Sequence, residues 1–156
     1  MNNLTKQFKT FQNIYWIMAA GQLVVGGVCY FLITTGTLGA ADYTMAVMLQ
    51  EVALIFIPVC MATGYFLFRY LLQKIDPKIT LEEKLKKYSG FIIVRGAFFE
   101  AAFLYCCAAS LITHVDLFLY MAPIVFLLFL LLRPALEAMC NDLQLTESDR
   151  IRVMAQ

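Results

Sequence analysis

Apolar residues fill four long stretches of this chain, and most of the charged residues lie outside them. The stretches cover about 14–36, 43–72, 89–113 and 116–133. A helix of about 20 apolar residues crosses the roughly 30 Å hydrocarbon core of a bilayer, because each residue adds about 1.5 Å. Soluble chains of this size do not carry several such stretches. The pattern therefore predicts an all-α membrane protein, in which residues 1–156 form a single integral membrane domain with four transmembrane helices.

The placement of lysine and arginine predicts the orientation of these helices. Basic residues precede the first stretch, fill the connection between the second and third, and follow the fourth: Lys6, Lys9, Lys74, Lys78, Lys84, Lys86, Lys87, Arg133, Arg150 and Arg152. The connections at 37–42 and 114–115 contain neither residue type. Because cytoplasmic loops carry the excess of Lys and Arg, we expect both termini and the middle connection to be cytoplasmic. We expect two tandem helical hairpins in a bacterial cytoplasmic (inner) membrane.

A capping box predicts the start of the third helix. Thr80 stands three positions before Glu83, the spacing at which a side chain and a backbone amide cap each other. We expect the helix that starts at Leu81 to continue into the third apolar stretch. Similar strings begin at Leu4 and Leu145, each with a Thr next and a basic residue four positions after that Thr. These recurrences predict a duplication of a hairpin unit, with repeats at 4–78 and 79–143.

The predicted architecture resembles the double-hairpin proteolipids of rotary ATPase rings. The resemblance rests on the two hairpins, on a membrane-buried acid and on the glycines of the first helix, Gly21, Gly26 and Gly27. It implies two packed hairpins. In that family the acid lies on the second helix of a hairpin, whereas Glu100 lies on the first helix of the second hairpin. The hairpin loops of this chain also lack the family's basic residue, so no residue role is carried over.

Two carboxylates lie inside the apolar stretches, Glu100 in the middle of the third and Glu51 in the outer part of the second. An ionisable group is costly in hydrocarbon, so it usually faces protein or a water-filled cavity. Both residues are therefore candidates for binding or translocation. Helical spacing places Glu100 among small residues, which mark close helix contacts in membranes. We expect this face to pack against another helix; it comprises Gly96, Ala97, Ala101, Cys107 and Ala108.

Gln22 is the third candidate, since it lies in the first helix at a depth similar to that of Glu100. We expect Glu100 to be neutral, because ionising a carboxyl in a dry site is costly. We also expect it to form a hydrogen bond across a helix interface, with Gln22 the favoured partner and a backbone carbonyl near Pro58 the alternative. That bond would be a structural bridge, and a translocation role for Glu100 remains open. Arg95 lies on another side of the same helix. We expect it to serve as a structural anchor that reaches the cytoplasmic interface, rather than to pair with Glu100.

Composition further limits the classes of function that this chain can have. Hydrophobic residues make up 62% of the chain, and 12 basic residues nearly balance 11 acidic ones. This balance argues against a nucleic-acid partner, which would need a concentrated basic face on the protein. The five cysteines form no CxxC pair, and the single histidine has no clustered ligands. We therefore expect no metal, no cofactor and no enzymatic activity.

Two functional hypotheses remain. The first is a small non-enzymatic membrane protein that serves as a structural or accessory subunit of a membrane assembly. Its partners would be the lipid bilayer and other membrane helices, in a homo-oligomer or a larger complex. The alternative is a proton or cation translocation pathway centred on Glu100.

Overall fold

The described part of the chain is built from helices. The computed structural model describes residues 3–36, 43–76, 79–145 and 147–154. In chain order the helices are α1 (Asn3–Thr34), α2 (Tyr43–Gln73), α3 (Leu81–Thr113), α4 (Asp116–Leu131), α5 (Leu136–Asp142) and α6 (Glu147–Met154). The prediction of an all-α protein with long apolar helices is confirmed.

Three of these helices are long and apolar enough to cross a membrane. Their apolar segments are Lys9–Thr34, Thr44–Gln73 and Leu81–Thr113. α4 has 16 residues, so it extends over about 24 Å and is shorter than the roughly 30 Å core. α4 and α5 together pass the same test, but they meet at a bend of 70°. The described residues therefore hold three helices that could span a membrane, or four if α4 and α5 form one broken span.

The bend between α4 and α5 follows from Pro134. Proline has no N–H to continue a helical ladder, and its ring clashes with the preceding turn. α4 accordingly tightens at its end, where the Leu132 N–H donates to the carbonyls of Leu128 and Phe129. A new ladder starts where the Met139 N–H donates to the Ala135 carbonyl at 3.0 Å. The helix predicted over 116–133 thus ends at Leu131.

The predicted cap of α3 is confirmed in its first half. The Glu83 N–H donates to the Thr80 hydroxyl at 3.4 Å, and α3 then runs without interruption to Thr113. α1 begins at Asn3, so the similar string near the N-terminus does not mark a helix start at Thr5. Thr146, which belongs to the third string, lies outside the described residues. The hairpin repeats at 4–78 and 79–143 stay a prediction.

α3 is the central helix, and α1, α2 and α4 each pack on it. α2 runs antiparallel to α3, since Gly64 lies against Phe98 while Tyr105 donates to the Leu49 carbonyl at 2.8 Å. α4 is antiparallel as well, since Phe126 lies near Phe103 and Phe118 lies near Tyr105. We call the end at which α1 and α3 begin the basic end, and the opposite end the neutral end. α1 and α2 make little contact with each other within the described residues.

The three neighbours of α3 leave one side of it uncovered. Its buried side is the one that carries large residues such as Ile92, Phe99 and Phe103. The uncovered side, which we call the open face, comprises Ala97, Ala101, Leu104 and Ala108, all of which are exposed. α1 packs on the Gly96 side of α3, and α2 packs on the side that carries Phe98 and Tyr105. The open face lies between these two sides.

Candidate functional site

Gln22 and Glu100 lie at the same level on neighbouring helices. α1 and α3 run parallel: the Met18 side chain packs against Gly96, and Cys29 lies beside Cys107. These two pairs have the same separation along the chain, and Gln22 and Glu100 share that separation. The expectation that the two side chains lie at a similar depth therefore agrees with the register of the helices.

The Gln22 side chain is buried and has no hydrogen bond. It is 1% exposed, and neither Oε1 nor Nε2 has a partner. The predicted hydrogen bond between Gln22 and Glu100 is therefore wrong. The two groups share a level, but the Gln22 amide is enclosed in the core whereas Glu100 lies at the margin of the buried side of α3. Leaving a buried polar group unpaired costs about 1–3 kcal/mol, so this amide is an unusual feature of the core.

Glu100 is only partly buried, at the border between the buried side of α3 and its open face. Of the small-residue face that was predicted to pack against another helix, Gly96 and Cys107 are buried within this chain, whereas the alanines of the open face are exposed. α3 meets three helices at once, and larger side chains fill those contacts. The Glu100 carboxylate forms no hydrogen bond or ion pair within the part of the chain that the structure describes.

Glu51 lies on an apolar surface of α2. It is exposed, as are Val52, Leu54 and Ile55 beside it. Like Glu100, it has no hydrogen-bond or ion-pair partner among the described residues. Both carboxylates that the sequence singled out thus reach the surface of segments that are otherwise apolar.

Arg95 connects three helices near the basic end. Its guanidinium lies over the Phe68 ring of α2, 4.2 Å from the ring centroid, and donates to the Leu132 carbonyl just after α4. No ion pair joins it to Glu100 within the described ranges. Its predicted role as an anchor at the cytoplasmic interface stays a prediction.

A polar cluster at the basic end was not anticipated from the sequence. The Tyr88 hydroxyl donates to Asp142 Oδ2 at 3.2 Å, and an Arg69 nitrogen lies 3.6 Å from Asp142 Oδ1. Tyr15 donates to the Phe129 carbonyl and stacks on the Phe129 ring, with centroids 4.4 Å apart. The sequence separation of Tyr88 and Asp142 does not predict their contact. Asp142 reaches α3 only because α5 bends by 70° away from the direction of α4.

A cavity of about 370 Å³ lies between α1, α3 and α4. Its lining extends from Gln22 to Tyr30 on α1 and from Phe118 to Phe126 on α4. Among the lining residues of α1, Gln22 is nearest the basic end. Its amide therefore lies at the end of the cavity that is closest to the basic end, which we call the floor. Closer to the basic end, the contact between Tyr15 and Phe129 joins α1 to α4 and closes the space.

The described residues hold no group of three or more His, Cys, Asp or Glu that could bind a metal ion. The five cysteines are buried and free. Comparisons with protein-family models, with curated proteins and with solved structures find no match. The candidate site therefore rests on the geometry of this chain alone, namely on Glu51, Glu100 and the cavity above Gln22.

Proposed function

We propose that this protein is a non-enzymatic membrane protein that serves as a structural or accessory subunit of a membrane assembly. The observation that supports the proposal is that Glu51 and Glu100, both without partners among the described residues, reach the surface of apolar helices. A carboxylate that faces lipid is costly, so such residues normally face protein or water. A helix of a partner subunit that covers them would remove this cost.

The open face of α3 is the surface best suited to such a helix. Its small side chains, Ala97, Ala101 and Ala108, permit the close approach that drives helix association in membranes. α1 and α2 flank it and barely contact each other, so they border a groove. A partner with a hydrogen-bond donor opposite Glu100 would complete the contact. The partner would be a helix of a different subunit or a second copy of this chain.

Crosslinking tests this proposal. We expect a photoreactive benzoylphenylalanine at Ala101 to form a discrete adduct in native membranes, whereas the same group at Leu127, an exposed residue of α4, should not. Glu100→Leu should weaken the association by about 1–2 kcal/mol or less, the range of interhelical hydrogen bonds in membranes. Glu100→Gln should retain it, because the amide preserves hydrogen bonding. Equal adducts at Ala101 and Leu127 would contradict a specific docking face.

The alternative, a proton or cation pathway centred on Glu100, is supported by the placement of two unpartnered polar groups, Gln22 and Glu100, at one level. The same variant separates the two functions. If Glu100→Gln abolishes proton flux into proteoliposomes of the purified protein while the fold survives, the pathway is favoured. If flux is absent from the unmodified protein as well, the accessory role is favoured.

The four-span topology with cytoplasmic termini, in a bacterial cytoplasmic membrane, is part of this proposal. The distribution of lysine and arginine supports it. We expect alkaline phosphatase to be active when fused at Thr37 and inactive when fused at Gln156, with a fluorescent-protein fusion giving the opposite result. Phosphatase activity at both positions would mean that α4 and α5 do not cross the membrane.

A further inference from the structure

The cavity between α1, α3 and α4 is lined mostly by apolar side chains. The Gln22 amide lies at its floor, and Tyr30, Ser110 and Tyr120 also belong to the lining. The Gln22 amide offers one acceptor and two donor hydrogens, and none of these polar atoms is paired. The residues that line the cavity include no Lys, Arg, His, Asp or Glu. A charged ligand would therefore find no counterion there, whereas an uncharged group that both donates and accepts would satisfy the amide.

The cavity also has a route of entry from the surrounding membrane. Leu23, Tyr30 and Tyr120 line it and are 60%, 57% and 68% exposed, so it opens between α1 and α4 on the apolar surface. Its volume of about 370 Å³ falls at the lower end of the range for small-molecule sites. Water is a poor occupant for most of this space, because a buried water needs two to four polar partners.

We propose that this cavity binds an uncharged, lipid-soluble molecule whose single polar group both donates and accepts a hydrogen bond, as the hydroxyl of a long-chain alcohol does. The polar group pairs with the Gln22 amide and the apolar chain extends toward the neutral end. Because the amide atoms are enclosed at the floor, pairing with the ligand requires the flexible Gln22 side chain to rotate toward the cavity. This site is independent of the docking face proposed above, which lies on another side of α3.

The glycines of α1 provide a matched pair of variants. Gly27 lines the cavity, and a Cβ built there meets no atom within 4 Å. Gly27→Leu should therefore fill the cavity without disturbing the backbone. Gly21 also has open space around its Cβ position, but it does not line the cavity. Gly21→Leu thus introduces the same side chain on the same helix and leaves the cavity unchanged.

Photolabelling with dodecanol that carries a diazirine in its chain tests the site. The probe is added to the full-length protein in phosphatidylcholine nanodiscs, and mass spectrometry maps the adducts. We expect adducts in the α1 and α4 segments that line the cavity. Unlabelled dodecanol should compete about two- to tenfold more strongly than dodecane, the difference that one hydrogen bond supplies. Gln22→Leu should abolish that preference, and Gly27→Leu should reduce the labelling several-fold, while Gly21→Leu should not.

Two outcomes would overturn the proposal. One is labelling spread over the whole lipid-facing surface and unaffected by Gly27→Leu. The other is equal competition by dodecanol and dodecane in the unmodified protein, which would leave no role for the amide. Size-exclusion profiles monitor folding, and if Gly27→Leu does not fold, Gly27→Ala provides a smaller obstruction whose reduced labelling is compared with that of Gly21→Ala.

Discussion

Gly64→Leu is expected to destabilise the packing of α2 on α3 by about 1–3 kcal/mol, the usual cost of inserting extra carbon atoms into a filled interface. A Cβ at Gly64 would lie 2.9 Å from Phe98 Cβ and 3.3 Å from the Arg95 carbonyl oxygen. Both of these atoms are held by the α3 backbone, so neither can move aside by a rotamer change. The two helices would have to separate, and α2 has no other large contact in the described fold.

The measurement is the unfolding transition of the purified protein, followed by circular dichroism as sodium dodecyl sulfate displaces a mild detergent. Gly21→Leu is the matched control, since it adds the same side chain to a helical glycine with open space. Equal transition midpoints for the two variants would show that Gly64 does not set the approach of α2 to α3. Gly64→Ala should give an intermediate midpoint.

The apolar parts of the first three helices could be predicted from the sequence, although α1 begins at Asn3, well before the predicted stretch of 14–36. Long apolar stretches with charged ends give little freedom in where a membrane helix starts and stops, and α2 (Tyr43–Gln73) differs by one residue from the predicted 43–72. The cap at Thr80 was also predictable, because its geometry depends only on residues three positions apart. Such local signals do not determine which sides of the helices meet.

The packing of α3 shows that limit. Small residues predicted that the Glu100 side of α3 packs against another helix, but within this chain the alanines there are exposed, and large residues make the contacts with α1, α2 and α4. Gly64 was not singled out, although its Cβ position lies closer to a neighbouring helix than that of any other described glycine. Its neighbours in sequence do not distinguish it from Gly21 or Gly27. A small residue permits close contact, but only the partner's position shows where the contact is made.

The fourth segment was misjudged for a different reason. Hydropathy reports how apolar a segment is, but not whether the helix axis bends. The apolar run through 116–133 therefore did not reveal that α4 ends at Leu131, or that α5 lies at 70° to it. Pro134 was a visible signal, but the contacts that depend on the turn were not. Asp142 meets Tyr88, and Arg95 meets the Leu132 carbonyl, only because the chain bends there. The depth of Gln22 along its helix could be predicted from the sequence, but the absence of a hydrogen-bond partner for its amide could not.

Arg95→Met is expected to destabilise the fold by about 1.5–3 kcal/mol, the range for a hydrogen bond to a charged group. Replacing both members of a buried ionic pair by apolar residues can be neutral, but the acceptor here is a backbone carbonyl that no substitution removes. Leu132 lies in the break where Pro134 ends the helical ladder, so Arg95 supplies a donor that the helix does not. The stacking of the guanidinium on Phe68 is lost as well.

Arg95→Lys is the control that separates charge from geometry. A lysine keeps the positive charge, but it lacks the planar guanidinium that can stack on an aromatic ring while donating to an oxygen. We therefore expect its unfolding midpoint in sodium dodecyl sulfate to lie between those of Arg95→Met and the unmodified protein. Hydrogen exchange should accelerate in residues 132–135 of Arg95→Met, because the bend loses its tie to α3. If Arg95→Met unfolds at the same midpoint as the unmodified protein, the guanidinium does not hold α4 and α5 in place.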